Sequence, residues 1–193
     1  MIYVTEDMQR IYATNVSSGT VSIIEKSSRT GAGSPPPGRG PAGGDWEETV
    51  VPVGRGAEGF DVAPGGKELW TASAQAGTVA IIDLATKKVT DTLQANVRGA
   101  NRLKFTPDGK LVLISSLSGA GLAILDAATH KEVKRIPIEH GAAGIQMQPD
   151  GSRAFVACTG ENYVMVLNLK SLDIVGRIDA GPAPDGLAWS IRQ

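Results

Sequence analysis

A repeat of about 42 residues constrains the possible folds of this chain more than any other feature of its sequence. Three turn-forming tripeptides lie 43 and 42 residues apart: Pro64-Gly65-Gly66, Pro107-Asp108-Gly109 and Pro149-Asp150-Gly151. A degenerate copy, Glu6-Asp7-Met8, lies 58 residues before the first of them. Two short apolar runs end at fixed distances after each tripeptide, and the second run ends on Glu25, Asp83, Asp126 or Asn168. A fixed period of this length is typical of repeat architectures.

Each repeat has the pattern of four short antiparallel strands. The tripeptide turn separates an apolar stretch, such as residues 59–63, from a β-branched or aromatic run, such as residues 69–72. A Ser/Gly/Asn-rich turn leads to a third strand, and a fourth strand carries Lys and Arg, as in residues 132–136. Four strands per repeat without helical periodicity predict an all-β fold, a β-propeller of four-stranded antiparallel blades. We place the blades at residues 1–53, 54–96, 97–139 and 140–181.

A family signature lies in the first repeat. Ile11-Tyr12-Ala13-Thr14-Asn15, followed by Gly19-Thr20-Val21-Ser22-Ile23-Ile24, resembles the motif of YVTN-repeat (YncE-like) β-propellers. The resemblance implies a seven-bladed ring, of which this chain holds about four blades, and a parent protein that is periplasmic or extracellular. Most members have no assigned activity, and related lactonase-type propellers hydrolyse substrates on the same architecture. Asn15 of the motif is replaced by Ser73, Ser116 and Cys158 in the later repeats.

The two ends of the chain differ in how much of a blade they contain. The first repeat has its own inner strand at residues 2–5, whereas residues 182–193 match only the inner strand of a further repeat. We therefore expect the parent protein to begin earlier and to contain two to three more blades. The alternative is a natural short chain whose last strand frays. The extra length of the first repeat, residues 27–45, is rich in Pro and Gly and is expected to be a flexible loop.

The candidate ligand site lies at the mouth of the central channel that the inner strands line. The turns that enter the inner strands share a face with the turns between second and third strands. Polar residues of these turns are the candidate ligand-binding residues: Glu58, Asn101, Arg102, Asp185, Asn15, Gln75 and Asn162. Polar groups at a concave mouth indicate a binding site. The alternative is a hydrated channel whose polar groups satisfy one another and ordered water.

Other chemistry-bearing residues have structural interpretations. The recurring Glu25, Asp83, Asp126 and Asn168 are expected to accept hydrogen bonds from backbone N–H groups of the next turn. Trp70 and Trp189 are expected to pack between blades, and Cys158 to be a small buried residue. His130 and His140 lie away from the channel and are expected to have plain surface roles. Glu58 and Asp185 are separated by intervening blades, which argues against a direct carboxylate pair for acid–base work or a cation.

Charge and motifs narrow the functional classes. The formal charge of −1 and the isolated Arg102 do not favour nucleic-acid binding. No apolar stretch has the ~18 residues of a membrane helix, and no nucleophile elbow, phosphate loop or zinc spacing occurs. We therefore expect no catalytic residues, no metal and no cofactor. The sequence favours a non-catalytic scaffold for a protein, peptide or surface polymer; the alternative is a lactonase-type hydrolase with a site partly in missing blades.

Overall fold

A computed structural model describes residues 1–27 and 46–190, and these form sixteen β-strands and one 3-10 turn at Thr159–Glu161. The strands pair in chain order as four antiparallel sheets of four strands each. Sheet 1 contains β1 (Ile2–Val4), β2 (Arg10–Asn15), β3 (Thr20–Lys26) and β4 (Trp46–Pro52). Sheet 2 contains β5 (Ala57–Val62), β6 (Glu68–Ser73), β7 (Thr78–Asp83) and β8 (Lys88–Gln94).

The second half of the chain repeats this plan. Sheet 3 contains β9 (Ala100–Phe105), β10 (Leu111–Ser116), β11 (Leu122–Asp126) and β12 (Glu132–Ile136). Sheet 4 contains β13 (Ile145–Met147), β14 (Arg153–Cys158), β15 (Tyr163–Asn168) and β16 (Ile174–Asp179). The predicted all-β class with four-stranded antiparallel sheets is confirmed. Of the loop expected at residues 27–45, residues 28–45 lie outside the described residues, as do residues 191–193.

The core consists of apolar layers between consecutive sheets, which explains why the second and third strands are apolar on both faces. Tyr12, Val21 and Ile23 of sheet 1 pack with sheet 2. The residues at the same repeat positions do so again between sheets 2 and 3 (Trp70, Val79, Ile81) and between sheets 3 and 4 (Leu113, Leu122, Ile124). Trp70 is fully buried, and its ring centroid lies 5.4 Å from that of Phe105 on sheet 3. Its predicted packing between sheets is confirmed.

The predicted turn interactions form in the three repeats whose turns after the third strand are described. Asp126 accepts hydrogen bonds from the backbone N–H groups of Ala128 and Thr129, and Asp83 and Asn168 do the same in their turns. The turn after Glu25 extends beyond the described residues, so its predicted backbone hydrogen bonds stay a prediction. The Glu25 carboxylate also pairs with Arg10 at 2.9 Å and with Lys87 at 2.5 Å.

The last described residues follow sheet 4 without forming a strand. The strand expected at 182–193 is absent from residues 182–190, because no second strand lies beside them in the described chain to complete a ladder. The segment nevertheless lies against sheet 4: the Gly144 N–H donates to the Asp185 carbonyl at 3.2 Å. The ring of Trp189, itself partly exposed, lies 6.0 Å from that of Phe155. Phe155 has the repeat position of Trp70, and Trp189 that of Phe105.

Candidate functional site

The entrances of the inner strands bring together four of the seven residues predicted from the sequence. Glu58 lies in β5, Asn101 and Arg102 lie in β9, and Asp185 lies in the segment after sheet 4. Glu58, Asn101 and Asp185 share one repeat position, whose fourth member is Ala143. Successive inner strands therefore present this position side by side. We refer to Glu58, Asn101, Arg102 and Asp185 as the mouth cluster.

Arg102 lies between the two carboxylates of the mouth cluster. Its Nη1 is 3.9 Å from Glu58 Oε1, and its Nη2 is 3.8 Å from Asp185 Oδ1. These separations are those of ion pairs without direct hydrogen bonds. Nη1 donates instead to the backbone carbonyl of Asn101 at 3.1 Å. Glu58 and Asp185 thus do not pair directly, because a guanidinium stands between them.

The arginine stands where three of the other repeats have glycine. Gly59, Gly144 and Gly186 occupy the repeat position of Arg102. The backbones come close here: a Cβ on Gly59 would lie 2.7 Å from the Arg102 carbonyl carbon. The Arg102 N–H donates to Ser115 Oγ at 3.1 Å, and that hydroxyl donates to the Ala143 carbonyl at 2.6 Å. These hydrogen bonds hold the Arg102 backbone between the neighbouring strands. The Arg102 side chain lies within 4 Å of both carboxylates.

Asn101 is buried, and only one of its two polar side-chain atoms has a hydrogen-bond partner in the described part of the chain. It is 6% exposed, and its Nδ2 donates to Glu58 Oε1 at 2.9 Å. In the described part of the chain its Oδ1 has no hydrogen-bond partner. The amide cannot turn over without placing Oδ1 against the Glu58 carboxylate, so the acceptor stays unpaired. A buried polar atom without a partner costs about 1–3 kcal/mol, and it therefore indicates a group that supplies the missing hydrogen bond.

A second polar layer lies one step further along the inner strands, and sequence reasoning missed it. Tyr3, Asp61, Lys104 and Gln146 share the repeat position two residues after that of Arg102. Asp61 lies 3.3 Å from Lys104 Nζ and accepts a hydrogen bond from the Phe105 N–H at 3.0 Å. Burial raises the pKa of Asp61, against the opposing effects of Lys104 and the Phe105 N–H. The repeat register contains a signal, since a polar side chain recurs at this one position in four repeats.

Of the other three predicted residues, Asn15 ends β2 and Gln75 and Asn162 lie in turns, and all three have structural contacts. Asn15 Nδ2 donates to Thr20 Oγ1 at 3.1 Å and to Ser22 Oγ at 2.9 Å. Asn162 Oδ1 accepts from the Ala183 N–H at 3.1 Å. Gln75 lies in the turn that packs against Gly56. Across residues 1–27 and 46–190, none of the three forms a hydrogen bond or ion pair with the mouth cluster.

The histidine and cysteine predictions have different outcomes. Cys158 is fully buried, and burial raises the pKa of its thiol, as expected of a packing residue. His130 is not a plain surface residue. Its ring packs edge-on to Trp70 at 5.2 Å between centroids, and its Nδ1 lies 3.1 Å from Asp91 Oδ2. The turn that holds His130 lies over sheet 2, and the spacing of the repeats alone does not predict this contact.

Two further structural findings bear on function. Within the described ranges, no three His, Cys, Asp or Glu side chains lie close enough together to hold a metal ion. Among the same residues, no helix is long and apolar enough to cross a membrane.

The fold defines the class of this protein as an all-β repeat protein of four-stranded antiparallel sheets. No protein-family model and no curated protein matches the chain. Among solved structures it is similar to a functionally unknown protein from Desulfotomaculum acetoxidans DSM 771, with 15% sequence identity and a TM-score of 0.77. The match covers 98% of this chain and 58% of the other, so this chain spans little more than half of its neighbour's length. A likeness at this identity shows the fold alone.

Proposed function

We propose that the four sheets are consecutive blades of a β-propeller and that the protein is a non-catalytic binding scaffold with its ligand at the channel-mouth face. The fixed repeat, the packing of each sheet against the next and the YVTN-like signature support the propeller interpretation. The partner is a protein, a peptide or a surface polymer. The same resemblance supports a parent protein located in the periplasm or outside the cell.

One observation carries the binding proposal, namely the unpaired and buried Asn101 Oδ1 beside three charged side chains. Stability alone does not explain this arrangement. Glycine, which three other repeats have at the position of Arg102, would avoid the exposed charges. A small residue such as Ala143 at position 101 would avoid the buried amide. Polar groups that a fold retains against its own stability are typical of binding and active sites.

The test is a ligand screen on the folded chain observed by amide NMR, with peptides, oligosaccharides and small lactones as probes. We expect one probe class to shift the amide signals of Glu58, Asn101 and Arg102 without turnover. The Arg102→Gly variant should lose these shifts, while its other signals stay in place. Lactone hydrolysis that is lost in Glu58→Ala would contradict the non-catalytic proposal, and so would a screen without any shift at these residues.

A further inference from the structure

We infer that the ligand of the mouth cluster is an uncharged polyhydroxyl compound, such as the sugar unit of a polymer; this inference rests on the proposed binding function. The mouth cluster joins one hydrogen-bond donor group, the Arg102 guanidinium, to three acceptor groups. The acceptors are the two carboxylates and the unpaired Asn101 Oδ1. The guanidinium and the two carboxylates are planar, so each can engage two neighbouring ligand atoms.

The alternation of charge disfavours an ionic ligand of either sign. An anion bound to Arg102 meets the carboxylates of Glu58 and Asp185, each within 4 Å of the guanidinium. A cation bound to either carboxylate meets the Arg102 guanidinium at the same short range. Because like charges at such distances repel strongly near a protein surface, either ion loses much of the attraction that it gains. A neutral ligand that forms hydrogen bonds meets no such opposition.

Hydroxyl groups match the hydrogen-bonding capacity of the cluster. Each hydroxyl donates one hydrogen bond and accepts up to two. Asn101 Oδ1 is buried, so a hydroxyl that donates to this unpaired acceptor must first displace the side chains that cover it. A neighbouring hydroxyl can then donate to a carboxylate and accept from Arg102, whose Nη2 forms no direct hydrogen bond with Asp185 at 3.8 Å. Adjacent hydroxyls on a sugar ring offer this donor and acceptor pattern over the same short span.

The repeat places no polar side chain between Arg102 and Asp185. Ala143 occupies the position that carries Glu58, Asn101 and Asp185 in the other repeats, and it is buried. Arg102 therefore reaches Asp185 across a position without a hydrogen-bonding side chain, at 3.8 Å and without a direct hydrogen bond. The guanidinium and the exposed Asp185 carboxylate thus keep hydrogen-bonding capacity for a ligand.

The test compares neutral oligosaccharides with charged counterparts of the same backbone. The probes are N-acetylglucosamine hexamer against glucosamine hexamer, and galactose hexamer against galacturonic acid hexamer, measured by calorimetry and ligand-observed NMR. We expect a neutral member to bind and its charged counterpart to bind about tenfold more weakly or not at all. The affinity of the neutral ligand should stay constant between roughly 0.05 and 0.5 M salt, because no ion pair forms with the ligand.

The variant Arg102→Gly tests the site without disturbing the repeat, because Gly59, Gly144 and Gly186 occupy the same position. We expect it to weaken binding about ten- to a hundredfold, the effect of losing hydrogen bonds to a charged group. Asp185→Ala is a second variant on an exposed side chain and should weaken binding in the same direction. Arg153→Ala is the control, because it removes an exposed arginine from the start of β14, outside the mouth cluster.

The outcomes separate this inference from the proposed function. Suppose that a charged hexamer or a peptide binds while the neutral sugars do not, and that the Arg102→Gly variant loses this binding. The polyhydroxyl inference is then wrong, and the proposed binding site remains supported. Neutral-sugar binding that Arg102→Gly and Asp185→Ala leave unchanged overturns the inference for this site. If no sugar or peptide binds to the folded protein, both proposals are wrong.

Discussion

Asp61 shows how the packing of inner strands changes the chemistry of one residue. Its carboxylate lies between sheets 2 and 3, where burial raises its pKa. Lys104 at 3.3 Å and the Phe105 N–H at 3.0 Å favour the charged form but do not cancel the effect of burial. A carboxyl with a higher pKa in the folded than in the unfolded state binds protons more tightly when the protein is folded. Its contribution to stability is complete below the unfolded pKa and is lost as the pH rises through the folded value.

Asp61→Asn should therefore remove a pH dependence of defined sign. The free energy of unfolding of the variant, relative to that of the wild type, should increase as the pH rises from below the ordinary aspartate pKa through the raised folded value, and then level off. Urea denaturation at a series of pH values measures this difference. A relative stability that stays flat or falls over that window would show that burial does not dominate at Asp61.

Repeat register explains which residues of the site could be predicted from sequence. Glu58, Asn101, Arg102 and Asp185 were found because each lies at the entrance of an inner strand, a position that backbone topology determines. Their order in the cluster, with Arg102 between two carboxylates, depends on side-chain reach across strands and was not predicted. Asp61 and Lys104 share a repeat position, but their ion pair depends on side-chain reach between neighbouring strands and has no signal in the sequence pattern.

Glycine at the inner-strand position controls how closely neighbouring sheets approach. A Cβ on Gly59 would lie 2.7 Å from the carbonyl carbon of Arg102, whereas one on Gly186 would meet no atom within 4 Å. Replacing Gly59 and Gly186 by alanine, one at a time, therefore tests the effect of close backbone packing, because the two glycines share one repeat position. Gly59→Ala should lower the free energy of unfolding by about 1–3 kcal/mol, because rigid backbone must move apart. Gly186→Ala should leave it unchanged within about 0.5 kcal/mol.

Thermal and urea unfolding of the two variants measure these effects. An equal effect of Gly59→Ala and Gly186→Ala would mean that lost backbone freedom, rather than the close approach of β5 to β9, explains the glycine. Amide NMR of Gly59→Ala provides a second measurement, because displacement of β9 should move the signals of Asn101 and Arg102.

In the described turns after the third strands of the repeats, either a carboxylate or an amide oxygen can accept the backbone hydrogen bonds that hold the turn. Asp126 accepts from the Thr129 N–H at 2.7 Å, and Asn168 accepts from the Ser171 N–H at 3.0 Å in the equivalent turn. Hydrogen bonds from Thr129 hold the pKa of Asp126 below its ordinary value. Asp126 therefore stabilises the fold above its unfolded pKa, and this contribution disappears as the pH falls through the folded pKa.

Asp126→Asn should keep the turn and lose its pH dependence, because Asn168 already forms this turn with an amide oxygen. The free energy of unfolding of the wild type, relative to that of the variant, should fall as the pH drops below the ordinary aspartate pKa. Asp126→Ala removes the acceptor and should be less stable than either at neutral pH. Urea denaturation provides the comparison, and a variant that keeps the acid dependence of the wild type would contradict the assignment to Asp126.

Elements were predicted well where local turn chemistry and apolar pattern agree. The Pro-Asp-Gly turns and the apolar runs beside them correctly predicted four-stranded sheets, since both signals come from residues close in sequence. The segment 182–190 has the same pattern as β13 but forms no strand, because a strand also needs a partner in space.

At the scale of the whole molecule, the two terminal sheets differ from the sheets between them. Ile2 on β1 is 69% exposed, whereas Phe60, Leu103 and Ile145 at its repeat position are buried by a preceding sheet. Val50 on β4 and Ile178 on β16 are also about half exposed, at 52% and 50%. Each terminal sheet thus presents an apolar face of the kind that forms the core elsewhere in the molecule. Exposed apolar faces of this type favour association.

We therefore expect the isolated chain to self-associate and to bind a hydrophobic dye in its folded state. Because apolar contact area drives such association, a charge placed on either face should weaken it. Val50→Asp and Ile178→Asp test the faces of sheets 1 and 4, and Val133→Asp is the matched control on β12, at a residue that is 50% exposed in an internal sheet. Sedimentation velocity over a concentration series should show smaller species for the first two variants and no change for the third. If all three variants sediment like the wild type, the terminal faces do not drive association.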